Sequence, residues 1–538
     1  MFRSTPPITP PAGWWTRRWY VAFLAIISII PLLWPQVPPL IDLMGHMGRY
    51  RVELADPSSQ LLTRYFSFHW ALMGNLGVDL LIIPMAKIFG LELGVKLIVM
   101  MVPPLTITGL LLIAREVHGR LPATAGLVAP FAYCWPFQWG FINYVLAMAL
   151  VLNVFALWLY LARIGRLRLR AVLFVPIGAL VWLAHGFAWG VLGLLAFSAE
   201  IVRMRDVEGR GYFESLWRGA IHCLPLAPPM ALMLLWRSGD VSGATVDWFN
   251  WIAKYVYLVS SLRNHWMQFD IGLVGLLILL VLFGLTSIGW RQFGFRMRRT
   301  VGVATLVLVI AYILMPRIVI GSAYADMRLA PYVIAIGVIG VVPRFTNRIA
   351  LNTIAGLALI IFAVRIYQST ERFIAFSTWQ EKQLAALDHI APQSRVFALV
   401  DLPCLSRWES PRLEHLGAMA IVRREAFVNG QWTMPGAQLL SIKYAPAKGY
   451  AEDPTQVMRP KRCRMRTART IESSIALFPR QAFDYLWLIN TAPDHWPGSD
   501  PTLKMIWNGG ERGALYRIVG SATIAMDTPK GMENVAIQ

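Results

Sequence analysis

Charged side chains are scarce in this chain: Asp, Glu, Lys and Arg make up 15% of its 538 residues, against about 25% in soluble domains. Hydrophobic residues take their place at 56%, above the roughly 45–50% of soluble proteins, and mean hydropathy is +0.52. That balance excludes an ordinary soluble domain and points to a membrane protein. Acidic residues are scarcer than basic ones, 30 against 50, for a formal net charge of +20. In a soluble chain such an excess suggests nucleic acid. Here the arginines gather between apolar runs, where cytoplasmic loops of membrane proteins collect them. No basic motif with interleaved aromatics stands in a polar setting, so no nucleic-acid partner is expected.

Cysteine is also rare, with 4 in all, and none has metal-ligand spacing. Cys134 and Cys223 lie in apolar runs and read as small core residues. Cys404 and Cys463 lie in the polar C-terminal part, where they are able to pair if that part is exported. The first apolar run lacks an A-x-A-like cleavage site and is followed by "LLWPQVPP", which reads as an uncleaved signal anchor. There is no convincing internal repeat and no low-complexity segment.

What is abundant is long apolar sequence. A bilayer core of about 30 Å needs about 20 mostly apolar residues as helix. Runs that meet or nearly meet this lie at 18–35, 94–114, 121–138, 140–162, 170–184, 187–202, 219–236, 270–290, 300–315, 328–343 and 349–367, which predicts about eleven spans. A further run, "WALMGNLGVDLLIIPMAKIFG" at 70–90, carries Asn75, Asp79 and Lys87. If it crossed, the cluster from Arg163 to Arg170 would fall outside, with Arg3, Arg17 and Arg18 inside. If it lies along the outer face or dips into it, every arginine-rich connection falls inside, including Arg115, Arg203, Arg291 and Arg344. The positive-inside rule favours the second arrangement.

The outer side then receives 36–93, the turns at Trp139 to Asn143 and at His185, the loops 237–269 and 316–327, and everything after about 368. Nearly all the unusual polar residues fall there. Beyond 368, short β-rich runs ("RVFALV", "AMAIV", "DYLWLI", "ALYRIV") and a helical-looking "STWQEKQLAALDHI" predict a small α/β domain.

In "PPLIDLMGHMGRY", Asp42, His46 and Arg49 are spaced by four and three, which puts them on one face if the segment is helical. Gly45 and Gly48 keep that region slim enough for close approach by a ligand or another helix. The bland reading is a solvated turn capped by Asp42. Asn75 and Asp79, again four apart, sit in a run too apolar for simple solvation, so they face a cavity or Asp79 pairs with a nearby arginine. In "CWPFQWGFINY", Gln138 and Asn143 are candidates to read substrate hydroxyls, while the aromatics suit an interfacial belt. His185 in "LAHGFAWG" is a candidate substrate contact or a structural hydrogen-bonding residue. The loop 237–269 offers Lys254, Arg263 and His265 among tryptophans and tyrosines, a composition that suits a sugar phosphate or a helix lying on lipid headgroups. "GSAYADMRLAPY" places Tyr324, Asp326 and Arg328 before an inward-running span. Arg328 there is suited to hold a phosphate, to pair with Asp326, or to snorkel to headgroups.

Taken together, "IDLMGHMGRY", "NLGVDLL", "WGFINY", "LAHGFA" and "YADMRLAPY", set in this topology over residues 18–367, resemble the GT-C class of integral-membrane glycosyltransferases. The resemblance implies a transmembrane domain over 1–367, with a first outer loop at about 36–93 containing interfacial helices. It also implies a C-terminal α/β domain over 368–538 in the periplasm, the whole anchored in the bacterial inner membrane. It implies transfer of a sugar from a polyprenyl-phosphate donor to an envelope glycan, lipid or protein acceptor, with inversion. An acidic residue of the first outer loop acts as base in that class, and the role falls here on Asp42, with His46 tuning or replacing it. Arg328, Arg49, Lys254 and Arg263 form the pool of cations for the donor phosphate. The first outer loop offers no adjacent acidic pair and no clear Asp-x-Asp. No cofactor is expected, and a divalent metal finds no support in the residues. Partners are the lipid-linked donor, the acceptor, membrane lipids and any membrane proteins of an envelope complex. Two other classes compete. One is a non-catalytic scaffold of that fold. The other is a lipid-linked sugar transporter, which needs polar residues through the membrane's depth where this chain is apolar.

Overall fold

The computed structural model describes residues 10–237, 244–286, 294–404, 408–434, 438–460, 463 and 470–520. Arg3, Arg291 and residues 238–243 of the outer loop lie outside them. The described part is dominated by helices: α1 (Arg18–Ile27), α2 (Leu43–Glu53), α3 (Gly77–Phe89), α4 (Leu91–His118), α5 (Ile142–Arg163), α6 (Leu167–Ala184), α7 (Gly186–Asp206), α8 (Met267–Thr286), α9 (Arg299–Leu314), α10 (Ala325–Gly340) and α11 (Arg348–Leu384). Among the described residues, six are long and apolar enough to cross a bilayer: α4, α5, α6, α7, α8 and α11.

The count of about eleven full-length spans is not reproduced, and proline accounts for two of the differences. Pro122, Pro130 and Pro136 interrupt 121–138, which forms a 3-10 run over Ala125–Tyr133 and a short helix over Trp135–Trp139. Pro225, Pro228 and Pro229 break 219–236 into Tyr212–His222, Leu224–Leu226 and Pro228–Arg237. Each proline removes a helix hydrogen bond and its ring crowds the preceding turn. The first run is a shorter apolar helix pair over Arg18–Leu33, and α9 is likewise short. Residues 70–90 fold mainly as α3, whose 13 residues extend about 20 Å, less than the bilayer core.

Arginine-rich connections meet at one common end of the bundle. There Arg163 pairs with Glu116 at 2.8 Å, and Glu200 takes Arg170 at 2.6 Å and Arg203 at 2.8 Å. Arg299 pairs with Asp206 at the same end. The starts of α4, α5, α7, α8 and α10 and the end of α6 lie at the opposite end, and the polar C-terminal part covers it.

That part reaches the bundle through α11, which runs on through residue 368. Its β2 (Arg395–Asp401) is parallel to β6 (Tyr485–Ile489) on one side and to the short β3 (Phe427–Val428) and β5 (Val457–Met458) on the other. Antiparallel β8 (Ala514–Ile518) and β7 (Leu503–Asn508) continue from β6. "RVFALV" is buried along almost its whole length, as strands covered on both faces require. "AMAIV" is not a strand: Met419–Arg424 is a helix, in line with the helix propensity of Ala and Met. Cys404 and Cys463 form a disulfide.

The first outer loop and the C-terminal part are stitched together. β1 (Phe66–Phe68) pairs antiparallel with β4 (Leu440–Ile442). Arg51 pairs with Glu425, and Arg423 with Glu92 at 2.8 Å. Gly45 and Gly48 of α2 permit this contact. A β-carbon on Gly45 would lie 2.3 Å from the Trp432 ring, and one on Gly48 would lie 2.3 Å from the Gln431 amide. The close approach foreseen for these glycines is made by the chain's own C-terminal segment.

Candidate functional site

A cavity of about 480 Å³ opens where the helix ends, the first loop and the C-terminal part meet. Its floor is built from Asn143 and Tyr144 at the start of α5, His185 between α6 and α7, and Tyr324 and Arg328 around the start of α10. Asp42, His46 and Asn75 supply one wall. Glu414, His415, Trp432, Glu452 and Asp453 close it from the C-terminal side.

Asp42 stands at the first residue before α2, and its backbone N–H donates to the Trp139 carbonyl at 2.8 Å. Its carboxylate makes no helix-capping bond, so the solvated-turn reading fails. The carboxylate instead lies 3.7 Å from His415 Nε2. Burial pushes the Asp42 carboxyl up to about 7. The His415 ring opposes this, the Glu414 and Asp453 carboxylates add to it, and Arg328 also opposes it. One turn on, His46 is held well below the usual imidazole value by burial and then by Arg49, His415 and Arg328. Its buried Nδ1 has no hydrogen-bond partner among the described residues.

Arg328 is the cation of the floor. One guanidinium N–H donates to Ser322 Oγ at 2.9 Å, the group lies 4.5 Å from the Phe141 ring centre, and its buried Nε is unpartnered. It forms no ion pair among the described residues, so the Asp326 pairing is not made. A guanidinium held by a hydroxyl and an aromatic face keeps its charge available for an anion. Tyr144 Oη donates to the Arg328 carbonyl at 2.8 Å, and Tyr324, with φ of 64°, packs its ring 5.0 Å from Trp139. His185 Nδ1 accepts from the Phe187 N–H at 3.2 Å. That is the structural hydrogen bond the sequence offered as an alternative, although the ring also lines the cavity.

The structure therefore brings Asp42, His46, Asn75, Asn143, His185, Tyr324 and Arg328 to one cavity and leaves the other seven candidates out. Arg49 and Asp79 form a buried pair at 2.6 Å. Asn143 ties this pair to the floor, donating to Asp79 at 2.9 Å and accepting from the Val78 N–H at 2.6 Å. Arg49 shares a helix face with Asp42 but lies seven residues along α2, about 10 Å away, beyond the cavity. Lys254 donates to the Tyr312 and Met315 carbonyls at 2.9 and 2.6 Å and to Asp326 at 3.3 Å. Arg263 donates to the Trp408 carbonyl at 3.0 Å and lies between the Trp135 and Trp408 rings. These three cations, together with Asp79 and Asp326, are held by partners within the fold and do not line the cavity. His265 lies near Arg372, Glu371 and Glu409, away from the cavity. Gln138 is buried, with its side-chain oxygen taken by Arg412 at 2.8 Å.

Sequence reasoning missed the C-terminal contribution. "LEH" at 413–415 and "ED" at 452–453 lie more than 350 residues from Asp42 in the chain, and nothing local links them to it. The Glu414-His415 pair and the adjacent acids Glu452-Asp453 were the available signal.

No protein-family model matches this chain, and no curated protein matches it by sequence. Solved structures do match. ArnT from Cupriavidus metallidurans in the apo state aligns with a TM-score of 0.50 at 12% identity, covering 94% of this chain and 98% of that one. The chain shares the fold of that ArnT structure. A second structure of the same protein, bound to undecaprenyl phosphate, aligns with a TM-score of 0.49 at 13% identity over the same shares. At these identities the likeness is one of fold, and it runs through both the helical bundle and the C-terminal part.

Proposed function

We propose that this chain is an inner-membrane glycosyltransferase that moves a sugar from a polyprenyl-phosphate donor to an envelope acceptor by direct displacement, with inversion. The observation that carries the reading is the pairing, in one cavity, of a half-buried carboxylate, Asp42, with an arginine, Arg328, that has no acidic partner among the described residues. Displacement at an anomeric carbon needs a base for the acceptor hydroxyl and a cation for the departing phosphate. Asp42 takes the acceptor proton as its oxygen attacks. The Arg328 guanidinium stabilises the polyprenyl phosphate that leaves. Tyr144, Asn143 and His185 form the floor on which the sugar sits.

Location supports the same reading. The cavity is at the end of the bundle away from the arginine-rich connections, which the positive-inside rule makes the outer end. A polyprenyl phosphate keeps its tail in the bilayer and its phosphate at that level. ArnT, whose apo structure shares this fold, is bound to undecaprenyl phosphate in its other structure. On this reading the C-terminal part, residues 368–538, is periplasmic and roofs the site.

Asp42→Asn and Arg328→Ala, purified at wild-type yield and size, are expected to lose transfer from polyprenyl-phosphate donors. Mass spectrometry of co-purified lipid should show a polyprenyl phosphate in wild type that is missing from Arg328→Ala. Full transfer activity in both variants would refute the assignment.

A further inference from the structure

A second cavity, of about 440 Å³, shares a wall segment with the first: residues 409–413 line it, while Glu414 and His415 line the other. The proposed transfer makes no use of it. Its position follows from the sheet. From β2 the chain moves to β3 and β5 on one side, and from β6 it moves to β7 and β8 on the other. Loops that leave neighbouring parallel strands in opposite directions open a crevice beyond the carboxyl ends of those strands, where open α/β sheets bind small ligands. Asp401 at the end of β2 and Asn490 just after β6 both line this cavity. Asn490 has a φ of 58°. Its side-chain amide donates to the Asp401 carbonyl at 2.8 Å, and its carbonyl accepts from Arg512 at 3.0 Å, which holds that guanidinium at the rim.

Helix α11 supplies the facing wall with Arg372, Phe376 and Trp379, spaced by four and three along one helix face, both rings only partly buried. These residues follow the apolar run that ends at 367 by about 8–18 Å of helix, beyond a headgroup layer roughly 5–8 Å thick. The geometry therefore selects a water-soluble ligand over a lipid headgroup. Three arginines, Arg372, Arg412 and Arg512, meet two carboxylates, Asp401 and Glu409, so positive charge is in excess. Arg372 lies 3.3 Å from Glu409 and Arg512 lies 3.9 Å from Asp401, pairs loose enough to open for a ligand. Arg412 is buried and donates to the Pro39 carbonyl at 2.6 Å and the Gln138 side chain at 2.8 Å. It forms no ion pair among the described residues. Burial, then Arg372 and Arg365, hold its guanidinium down to about 9, against the pull of Glu409. Ser410 is buried too, and its Oγ has no hydrogen-bond partner among the described residues, which is costly until a ligand or water meets it. Sugar hydroxyls donate and accept alike, a sugar's C–H face packs on aromatic rings, and arginine favours carboxylate or phosphate.

We propose that this cavity is a second ligand site, separate from the transfer cavity, for an anionic monosaccharide: a sugar ring carrying a carboxylate or phosphate. The ring lies against Phe376 and Trp379, and the anion lies between Arg372 and Arg512. Arg412 ties the same wall to Pro39 and Gln138, beside the backbone that leads into Asp42, so an occupied site steadies the transfer cavity; that role alone rests on the transferase reading.

The test is saturation-transfer NMR of the full chain in a sugar-free detergent, titrated with glucuronate, glucose 6-phosphate and glucose. At least one of the two anions is expected to bind, with glucose about tenfold weaker or more. Trp379→Ala and Arg512→Gln are each expected to weaken the anion by about tenfold, whereas Arg328→Ala, in the other cavity, leaves it unchanged. Arg512 is 39% exposed, so its loss spares the packing, and thermal unfolding of each variant separates misfolding from ligand loss. No binding by either anion, equal binding of glucose, unchanged binding in the Trp379→Ala/Arg512→Gln double variant, or loss in Arg328→Ala overturns the site. Because binding is read without donor or acceptor, a chain that binds the anion but transfers no sugar would sink the transferase reading and keep the site.

Discussion

Replacing Arg49 with methionine separates a structural role from a substrate role. The guanidinium is 2% exposed and its partner Asp79 is fully buried, with contacts of 2.6 and 3.2 Å between them. Removing one member of a buried pair leaves an uncompensated charge and costs about 3–5 kcal/mol. The two partners are not equivalent, because Glu53 is close by with both carboxylate oxygens buried and unpartnered. Losing Arg49 strands two carboxyl groups. Losing Asp79, as in Asp79→Asn, leaves Arg49 with Glu53 as a replacement anion and keeps the Asn143 contact as an amide pair. Arg49→Met is therefore expected to cost about 3–5 kcal/mol and Asp79→Asn about 1–3 kcal/mol. Denaturant or thermal unfolding of the detergent-solubilised chain reads the difference, with donor KM measured on the folded fraction. An Arg49→Met variant with wild-type stability and a greatly raised donor KM would refute the reasoning and restore Arg49 to the phosphate pool.

Burial, then the nearby Asp79 carboxylate, push the Glu53 carboxyl up from 4.5 to about 9. The folded state thus holds a proton that the unfolded state releases near pH 4.5, and stability falls as pH rises from there towards 9, by up to about 1.4 kcal/mol per unit. Glu53→Gln should raise the Tm more at pH 8 than at pH 5, and an equal gain at both would contradict the assignment. Gly45→Ala drives a methyl group into the Trp432 ring and should cost about 1–3 kcal/mol, with faster protease cleavage of the C-terminal part; unchanged cleavage would mean that the two segments do not dock there. Arg328→Lys keeps the charge but loses the planar donor array that meets Ser322 and Phe141. Donor KM should rise while thermal stability stays close to wild type, and an unchanged KM would remove Arg328 from the phosphate site.

Much of the architecture was legible because lipid imposes simple rules. Span length and arginine placement are additive properties of short windows, so they survive without knowledge of the fold. The expected outer surfaces at 36–93, 139–143, 185 and 316–327 all contribute to one end of the bundle. Errors came where proline sat inside an apolar run, as at 121–138 and 219–236, since hydropathy does not register a lost hydrogen bond. The "AMAIV" run failed for a related reason: five apolar residues have no decisive period, and length alone does not distinguish a buried strand from a buried helix turn.

By itself, then, the sequence determined that the chain is membrane-embedded, which end of its helices carries the polar groups, and that Asp42 and Arg328 are on that end. Only the tertiary structure decided which cations are free. Arg49, Lys254 and Arg263 resemble Arg328 in composition and setting, but partners distant in the chain absorb them. It also decided that Glu414, His415 and Asp453 line the same cavity as Asp42. Charge and hydropathy are properties of a residue and its neighbours in the chain, whereas pairing is a property of distance in space, which the packing of helix ends against the C-terminal part alone sets.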